Sequence, residues 1–285
     1  MSGYLCNLVI PGAAKSGTTT LHDILDRHPR IAMSRPKEPQ FFSFDERYEG
    51  GAAAHNALFE SGPDIVWHGE SSQCYFVHPH AMERMKRDLN DPKIIVMLRD
   101  PLERILSHHR FRAALGIDSR PLRRKLEESG LDTGYEWNPD MNMYAGRGGY
   151  ISFSKYATYV PLWQEMFGKD DVLVLRMEDL KRDSDLVAAR AFRFLGLEPA
   201  DVDTKVRSNE TMSLRRRRAP AWAHVGARLL PEAVRRSAPV VALRRRISRP
   251  IELPPDELSP EDEAWLRERL APDIAFYESI PALSR

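Results

Sequence analysis

Residues 8 to 20 read Leu8-Val9-Ile10-Pro11-Gly12-Ala13-Ala14-Lys15-Ser16-Gly17-Thr18-Thr19-Thr20. The apolar run from Leu5 to Ile10 has the length of a buried strand, and Pro11 with Gly12 stops it. Beyond it Thr18, Leu21, Ile24, Leu25 and His28 recur at helical spacing. Pro29 closes that helix, because the residue before a proline is pushed out of the helical region. A glycine-bearing turn between a strand and a helix start is an anion site: backbone amides and the positive end of the helix dipole face the ligand, and Lys15 adds a point charge. A nucleotide phosphate is the natural occupant.

Gly12 and Gly17 stand in register with the glycines of the triphosphate loop GxxxxGK[ST], but Thr18 replaces the lysine that reaches the β- and γ-phosphates. The lysine here, Lys15, precedes Gly17 by two, where it would lie across a single 5′-phosphate and its leaving oxygen. Further short apolar runs at 65–69, 93–98 and 172–175 read as strands. Helical patterns fall at 79–89, 101–114, 153–167, 185–195 and 260–278, and this alternation predicts an α/β fold with a central parallel sheet.

A second anion site is written in Lys93 to Arg110, KIIVMLRDPLERILSHHR. Asp100 reads as an N-cap, Pro101 as the first helical residue and Glu103 as the capping-box partner. Arg99 then ends a strand beside a helix start, in the crevice where open α/β sheets bind ligands. Ser107 follows two turns on, on the same helical face. An arginine fork and a hydroxyl hold a phosphate at two points. Two anion sites on one sheet fit a nucleotide phosphorylated at both its 5′ and 3′ positions.

The segments PGAAKSGTTTLHDIL and IIVMLRDPLERILSHHRF together resemble the 5′ and 3′ phosphosulfate-binding motifs of the PAPS (3′-phosphoadenosine 5′-phosphosulfate)-dependent sulfotransferases, the heparan sulfate type and its bacterial relatives above all. RPKEPQFFSFDERY at 35–48, GESSQCYF at 69–76 and residues 148–180 fit the same family, so that the resemblance covers most of residues 4 to 200. It implies a P-loop-like three-layer α/β fold with a helical C-terminal region. It also implies PAPS as donor, adenosine 3′,5′-bisphosphate as product and no metal in the reaction. Lys15, Ser16, Gly17, Thr18 and Thr19 would bind the 5′ side, with Lys15 steadying the leaving phosphate, and Arg99 and Ser107 would bind the 3′ side. Arg216, Arg217 and Arg218 match a basic loop that closes over the nucleotide.

Glu38, in Lys37-Glu38-Pro39-Gln40-Phe41-Phe42, matches the glutamate that heparan-type enzymes use as general base. A carboxylate followed by a proline and two aromatics is expected to be partly desolvated, as a general base would need. The bland reading is an ion pair with Lys37 or Arg35. Gln40 stands where the family often has a histidine, and Ser71 where a lysine follows the next strand's glutamate, so the acceptor need not be a polyanionic sugar chain. A carbohydrate, glycolipid or other small molecule remains. Residues 114–147, with Tyr135, Trp137 and Tyr144, read as the acceptor-facing loop. Two other readings stay open: a small-molecule kinase using ATP and magnesium, and a noncatalytic nucleotide-sensing or membrane-associated module.

The 285 residues, 42% hydrophobic, suit one domain with its core at 4–200, an arginine-rich loop and helical subdomain at 205–250, and a C-terminal helix at 251–285. Net charge is +1, yet Arg215 to Arg249 holds eleven arginines against the single acid Glu232. That block has little aromatic interleaving, which argues against nucleic acid. Its mixture of arginines with Leu229, Leu230, Val234, Val240 and Val241 suits peripheral contact with anionic lipid, although Pro231 and Pro239 interrupt any long helix and favour a short helical subdomain. The opening residues lack a signal-peptide pattern and no run of about 20 apolar residues occurs, so a cytoplasmic location is expected. Cys6 and Cys74 read as small buried hydrophobes inside strands, with no metal-ligand spacing.

Overall fold

The computed structural model describes residues 3–115, 120–128, 149–205, 217–218, 249–250, 253–255 and 257–284. Strands β1 (Leu8–Ile10), β2 (Ile31–Met33), β3 (Trp67–Ser71), β4 (Lys93–Leu98) and β5 (Val172–Arg176) form one parallel sheet in the order β2-β3-β1-β4-β5. Alternate residues of the central strands serve opposite faces, as a two-residue period requires. Val9, Ile94, Val96 and Leu98 pack into an aromatic-rich layer with Phe76, Tyr156 and Trp163. Leu8, Ile10, Ile95 and Met97 pack into an aliphatic layer with Leu21, Ile24 and Val187. Covering both faces is what makes these strands continuous apolar runs rather than alternating ones.

The helices are α1 (Thr18–Leu25), the short α2 (Asp45–Tyr48) and α3 (Gly51–Asn56), then α4 (Pro79–Asp88), α5 (Pro101–Ala114), α6 (Leu122–Glu128), α7 (Tyr156–Phe167), α8 (Met177–Arg182), α9 (Ser184–Phe194), α10 (Pro260–Arg269) and α11 (Ala271–Ser279). Helices α1 and α9 cover the aliphatic face; α4, α7 and α11 cover the aromatic one. Two-residue strands β6 (Arg217–Arg218) and β7 (Arg249–Pro250) pair antiparallel and bring the two ends of the arginine block together.

Several expectations are corrected. The helix expected over 260–278 is two helices, because Pro272 lacks the N–H a helix interior needs and instead starts the second one. The first helix ends at Leu25, before His28. The strand expected at 65–69 lies two residues later, which puts Glu70 and Ser71 inside it. Neither cysteine is in a strand: Cys6 precedes β1 and Cys74 sits in a 3-10 turn, Gln73–Val77, although both are buried.

The C-terminal segment is stitched to α8. Arg176 Nη1 donates to the Ile280 carbonyl at 3.2 Å, and the Leu283 amide donates to Asp179 Oδ2 at 3.3 Å. The Tyr277 hydroxyl donates to Glu178. No described helix is long and apolar enough to cross a membrane.

Candidate active site

Every strand of the sheet carries, just past its C-terminal end, a residue that lines one cleft of about 550 Å³. After β1 come Lys15, Gly17, Thr18, Thr19 and Thr20; after β2, Lys37 and Glu38; after β3, Gln73; after β4, Arg99, Ser107, Phe111 and Leu115; after β5, Met177. The order β3-β1-β4 reverses direction at β1, and the crevice at such a reversal is where open α/β sheets take ligands.

The loop after β1 is pinned to β4: the Ala13 amide donates to the Met97 carbonyl at 2.7 Å, and the Met97 amide to the Gly12 carbonyl at 2.8 Å. Gly12, at φ 148°, is needed for space as well as conformation, since a Cβ there would stand 2.8 Å from Phe76 Cβ. Gly17, at φ 87°, caps α1 against Leu180 and Met177. Turning left-handed here lets the first-turn amides of α1, which have no partner within the helix, open on the cleft side of the loop. Ser16 is fully buried beneath it and does not line the cleft. Its Oγ lies beside the Tyr156 hydroxyl, which donates to the Arg99 carbonyl at 2.9 Å.

Lys15 itself adopts φ 67°, and Glu38 φ 59°. Left-handed backbone is uncommon for residues other than glycine, and it persists where the surroundings impose it, often at working sites. The Lys15 ammonium lies 3.9 Å over the Phe111 ring and has no ion pair among the described residues. Burial first, and then the Arg99 guanidinium, push its pKa down to about 8. Arg99 and Glu103 are paired at 2.8 Å, and Lys181 approaches the same carboxylate at 3.7 Å. Asp100 caps α5 as expected, accepting from the Leu102 and Glu103 amides. The capping box is not completed, because Glu103 turns to the two cations rather than back to the cap. Arg104, five residues beyond Arg99, is fully buried and held by Ser154 Oγ at 2.6 Å and the Tyr150 carbonyl. Burial pulls its pKa down to about 10, with Arg99 adding to the fall. Lys15, Arg99 and Arg104 thus feel one another's charge, an arrangement that an anion would relieve.

Glu38 is fixed to β3 through its loop: its amide donates to the Ser71 carbonyl at 3.0 Å, and the Gln40 amide to Ser72 Oγ at 2.9 Å. Its carboxylate accepts from Lys37 Nζ at 2.8 Å and from Gln73 Nε2 at 3.4 Å. The ion pair with Lys37 is present but stands inside the cleft, with Glu38 only 28% exposed; Arg35 pairs elsewhere, with Asp26. Among the residues singled out from the sequence, Lys15, Gly17, Thr18, Thr19, Glu38, Arg99 and Ser107 share this cleft. Arg217 and Arg218 form β6 and Arg249 lies in β7, while Arg216, the arginine block between Arg218 and Arg249 and most of the expected acceptor loop lie outside the described residues.

Sequence reasoning passed over Lys37, Gln73, Phe111 and Met177, while Leu115 falls at the start of the segment expected to face the acceptor. Phe111 was findable, one turn past Ser107 on the same helical face. Gln73 was not, because nothing in GESSQCYF shows that its side chain turns back toward residue 38. The lining as a whole suits a multiply phosphorylated anion: glycine backbone that a Cβ would fill, an ammonium with no ion pair among the described residues, the Ser107 hydroxyl and an arginine fork.

Comparison with known proteins agrees. A sulfotransferase from Alicyclobacillus acidocaldarius superposes with a TM-score of 0.61 at 26% identity, covering 85% of this chain and 99% of that one. The human heparan sulfate glucosamine 3-O-sulfotransferase 3B1 is 28% identical over 218 residues, 74% of this chain and 51% of its own length. The membrane-associated sulfotransferase kil1 of Dictyostelium discoideum is 36% identical over 110 residues, 38% of this chain and 23% of its own. The chain therefore spans about half of the length of one of these curated relatives and about a quarter of the other's. The family model described as the sulfotransferase domain matches residues 6–221, which takes in every strand of the sheet and every residue of the cleft. On that match the chain belongs to the sulfotransferase domain family.

Proposed function

We propose that this chain transfers a sulfuryl group from PAPS to a hydroxyl or amine of a carbohydrate, glycolipid or other small-molecule acceptor, with Glu38 as general base. The observation that carries the reading is the meeting of Lys15, Glu38, Arg99 and Ser107 in one cleft, on segments that follow three different strands. PAPS supplies the sulfuryl group already attached to a good leaving phosphate. The amides at the start of α1, with Thr18 and Thr19, hold the 5′ side of the nucleotide. Ser107 and the Arg99 fork hold the 3′-phosphate, and Glu103 occupies that fork when no phosphate does. Lys15, which has no ion pair among the described residues, meets the charge that builds on the leaving oxygen. Glu38 accepts the acceptor's proton, and Lys37 and Gln73 fix its two oxygens so that a lone pair keeps one direction. The acceptor enters the same cleft, whose lining includes the apolar side chains of Phe111 and Leu115.

The test is a competition of nucleotides. Adenosine 3′,5′-bisphosphate binds more tightly than ATP with magnesium, and PAPS labelled in its sulfuryl group transfers label to an acceptor supplied in a cell extract. Tighter binding of ATP with magnesium refutes the donor assignment.

A further inference from the structure

Away from the cleft, Cys6, His55 and Glu70 meet where no solvent reaches; their exposures are 1%, 0% and 0%. The Cys6 sulfur, a ring nitrogen of His55 and a carboxylate oxygen of Glu70 all lie within 4.8 Å of one another. They come from the approach to β1, from α3 and from β3, so no local spacing announces them. Both ring nitrogens of His55 and Oε1 of Glu70 lack any hydrogen bond among the described residues. Buried polar atoms are almost always paired, and each one left unpaired costs about 1–3 kcal/mol. His55 Nε2 stands 3.6 Å from Glu70 Oε1, too far for a hydrogen bond between them. The rings of Tyr4, Phe41, Phe42 and Phe59 surround the imidazole at centroid distances of 5.7, 4.5, 5.0 and 5.3 Å.

The geometry points to a buried metal site, taking Zn²⁺ through Cys6 Sγ, a ring nitrogen of His55 and Glu70, with the fourth position left to a water that enters with the ion. Ligands at about 2.0–2.2 Å from a tetrahedral zinc stand about 3.4 Å apart, close to the nitrogen–oxygen separation found here. A thiolate and an imidazole select a borderline-soft ion over magnesium or calcium. Glu70 Oε2, which accepts from the Tyr75 hydroxyl at 3.3 Å, supplies the outer-shell hydrogen bond that orients a ligating carboxylate. The ion would tie β1, α3 and β3 together. Its reach to the cleft is indirect: the residues after Glu70, Ser71 and Ser72, hold the Glu38 loop through a carbonyl and a hydroxyl. This assignment is independent of the donor and of the acceptor.

The full chain, purified without chelator or histidine tag, is assayed for metal by mass spectrometry, and one zinc per chain is expected. After removal of the zinc by a chelator, added Co²⁺ should give a thiolate-to-metal charge-transfer band that Cys6→Ser lacks. Added zinc should raise the unfolding temperature of the wild type and leave that of Cys6→Ser unmoved. Cys6→Ser exchanges one atom, so it tests ligation even if His55→Gln, inside its aromatic cage, does not fold. A folded wild-type chain that takes up neither zinc nor cobalt overturns the site. So does metal retained in full by Cys6→Ser, which places the ion elsewhere.

Discussion

Raising the pH should weaken nucleotide binding through one group, Lys15, and draw protons from solution as it does so. An exposed lysine titrates at 10.5; burial and the nearby Arg99 bring Lys15 to about 8. A bound phosphate dianion restores the ammonium. At pH 8 the empty cleft therefore holds the neutral amine in about half the molecules, and at about pH 9 in about nine-tenths of them. Binding takes up that fraction of a proton. The ligand adds little of its own, because phosphate monoesters complete their second ionisation near pH 6. Above pH 8 affinity should fall toward tenfold per pH unit. The measurement is calorimetric titration with adenosine 3′,5′-bisphosphate in buffers of different ionisation enthalpy, which reads the proton count directly. Lys15→Arg should abolish both the uptake and the fall, since a guanidinium stays charged throughout. Wild-type uptake near zero at about pH 9, or uptake that survives in Lys15→Arg, refutes the reasoning. In the unliganded chain the consequence has the opposite sign. Folding lowers this pKa, so the unfolded chain binds more protons between pH 8 and 10.5, and the group's contribution to stability rises with pH across that window.

Replacing Glu38 by Gln should lower turnover by roughly 10²–10⁴ while leaving bisphosphate affinity within about twofold, read by labelled-sulfuryl transfer beside calorimetry. Arg99→Ala should weaken adenosine 3′,5′-bisphosphate by on the order of 100-fold, the worth of charge-assisted hydrogen bonds, and barely change the binding of 5′-AMP. Equal losses for the two ligands would show that Arg99 does not serve the 3′-phosphate. Gly12→Ala should destabilise by on the order of 3 kcal/mol, from positive-φ strain plus the Phe76 clash. Gly51→Ala, at φ 65° with nothing within 4 Å, should cost only about 1 kcal/mol, and denaturant midpoints separate the two.

The donor side of this protein is legible because its signals are local. Lys15, Gly17 and Thr18 lie within one strand–turn–helix unit, and Asp100 with Pro101 marks where β4 hands Arg99 to α5. Two strong local rules gave way only where a competing partner stood nearby: Glu103 left its capping role for Arg99 and Lys181, and Pro272 split a helix whose apolar periodicity runs through it. Glu38 was readable by resemblance, but its setting was not. The hydrogen bonds to Ser71 and Ser72 span more than thirty positions, and the ion pair with Lys37 is meaningful only once the cleft encloses it. Strand β2, three residues long, is too short to stand out by periodicity, yet it is what brings the Glu38 loop to the sheet. Cys6, His55 and Glu70 were beyond any spacing rule, since tertiary packing alone assembles them.

The stitching of the C-terminal segment to α8 has a consequence for how the protein is made. Arg176 and Ile280 are 104 positions apart, and Met177, in the floor of the cleft, starts the helix they secure. A ribosome adding about 5–20 residues per second needs roughly 5–20 s to cover that distance. Through that interval all five strands are already synthesised, and α8 is held by Leu180 in the aliphatic layer but lacks its C-terminal hydrogen bonds. The nascent chain therefore completes its sheet before the wall of the cleft that Met177 forms is fully secured, and that delay is set by translation.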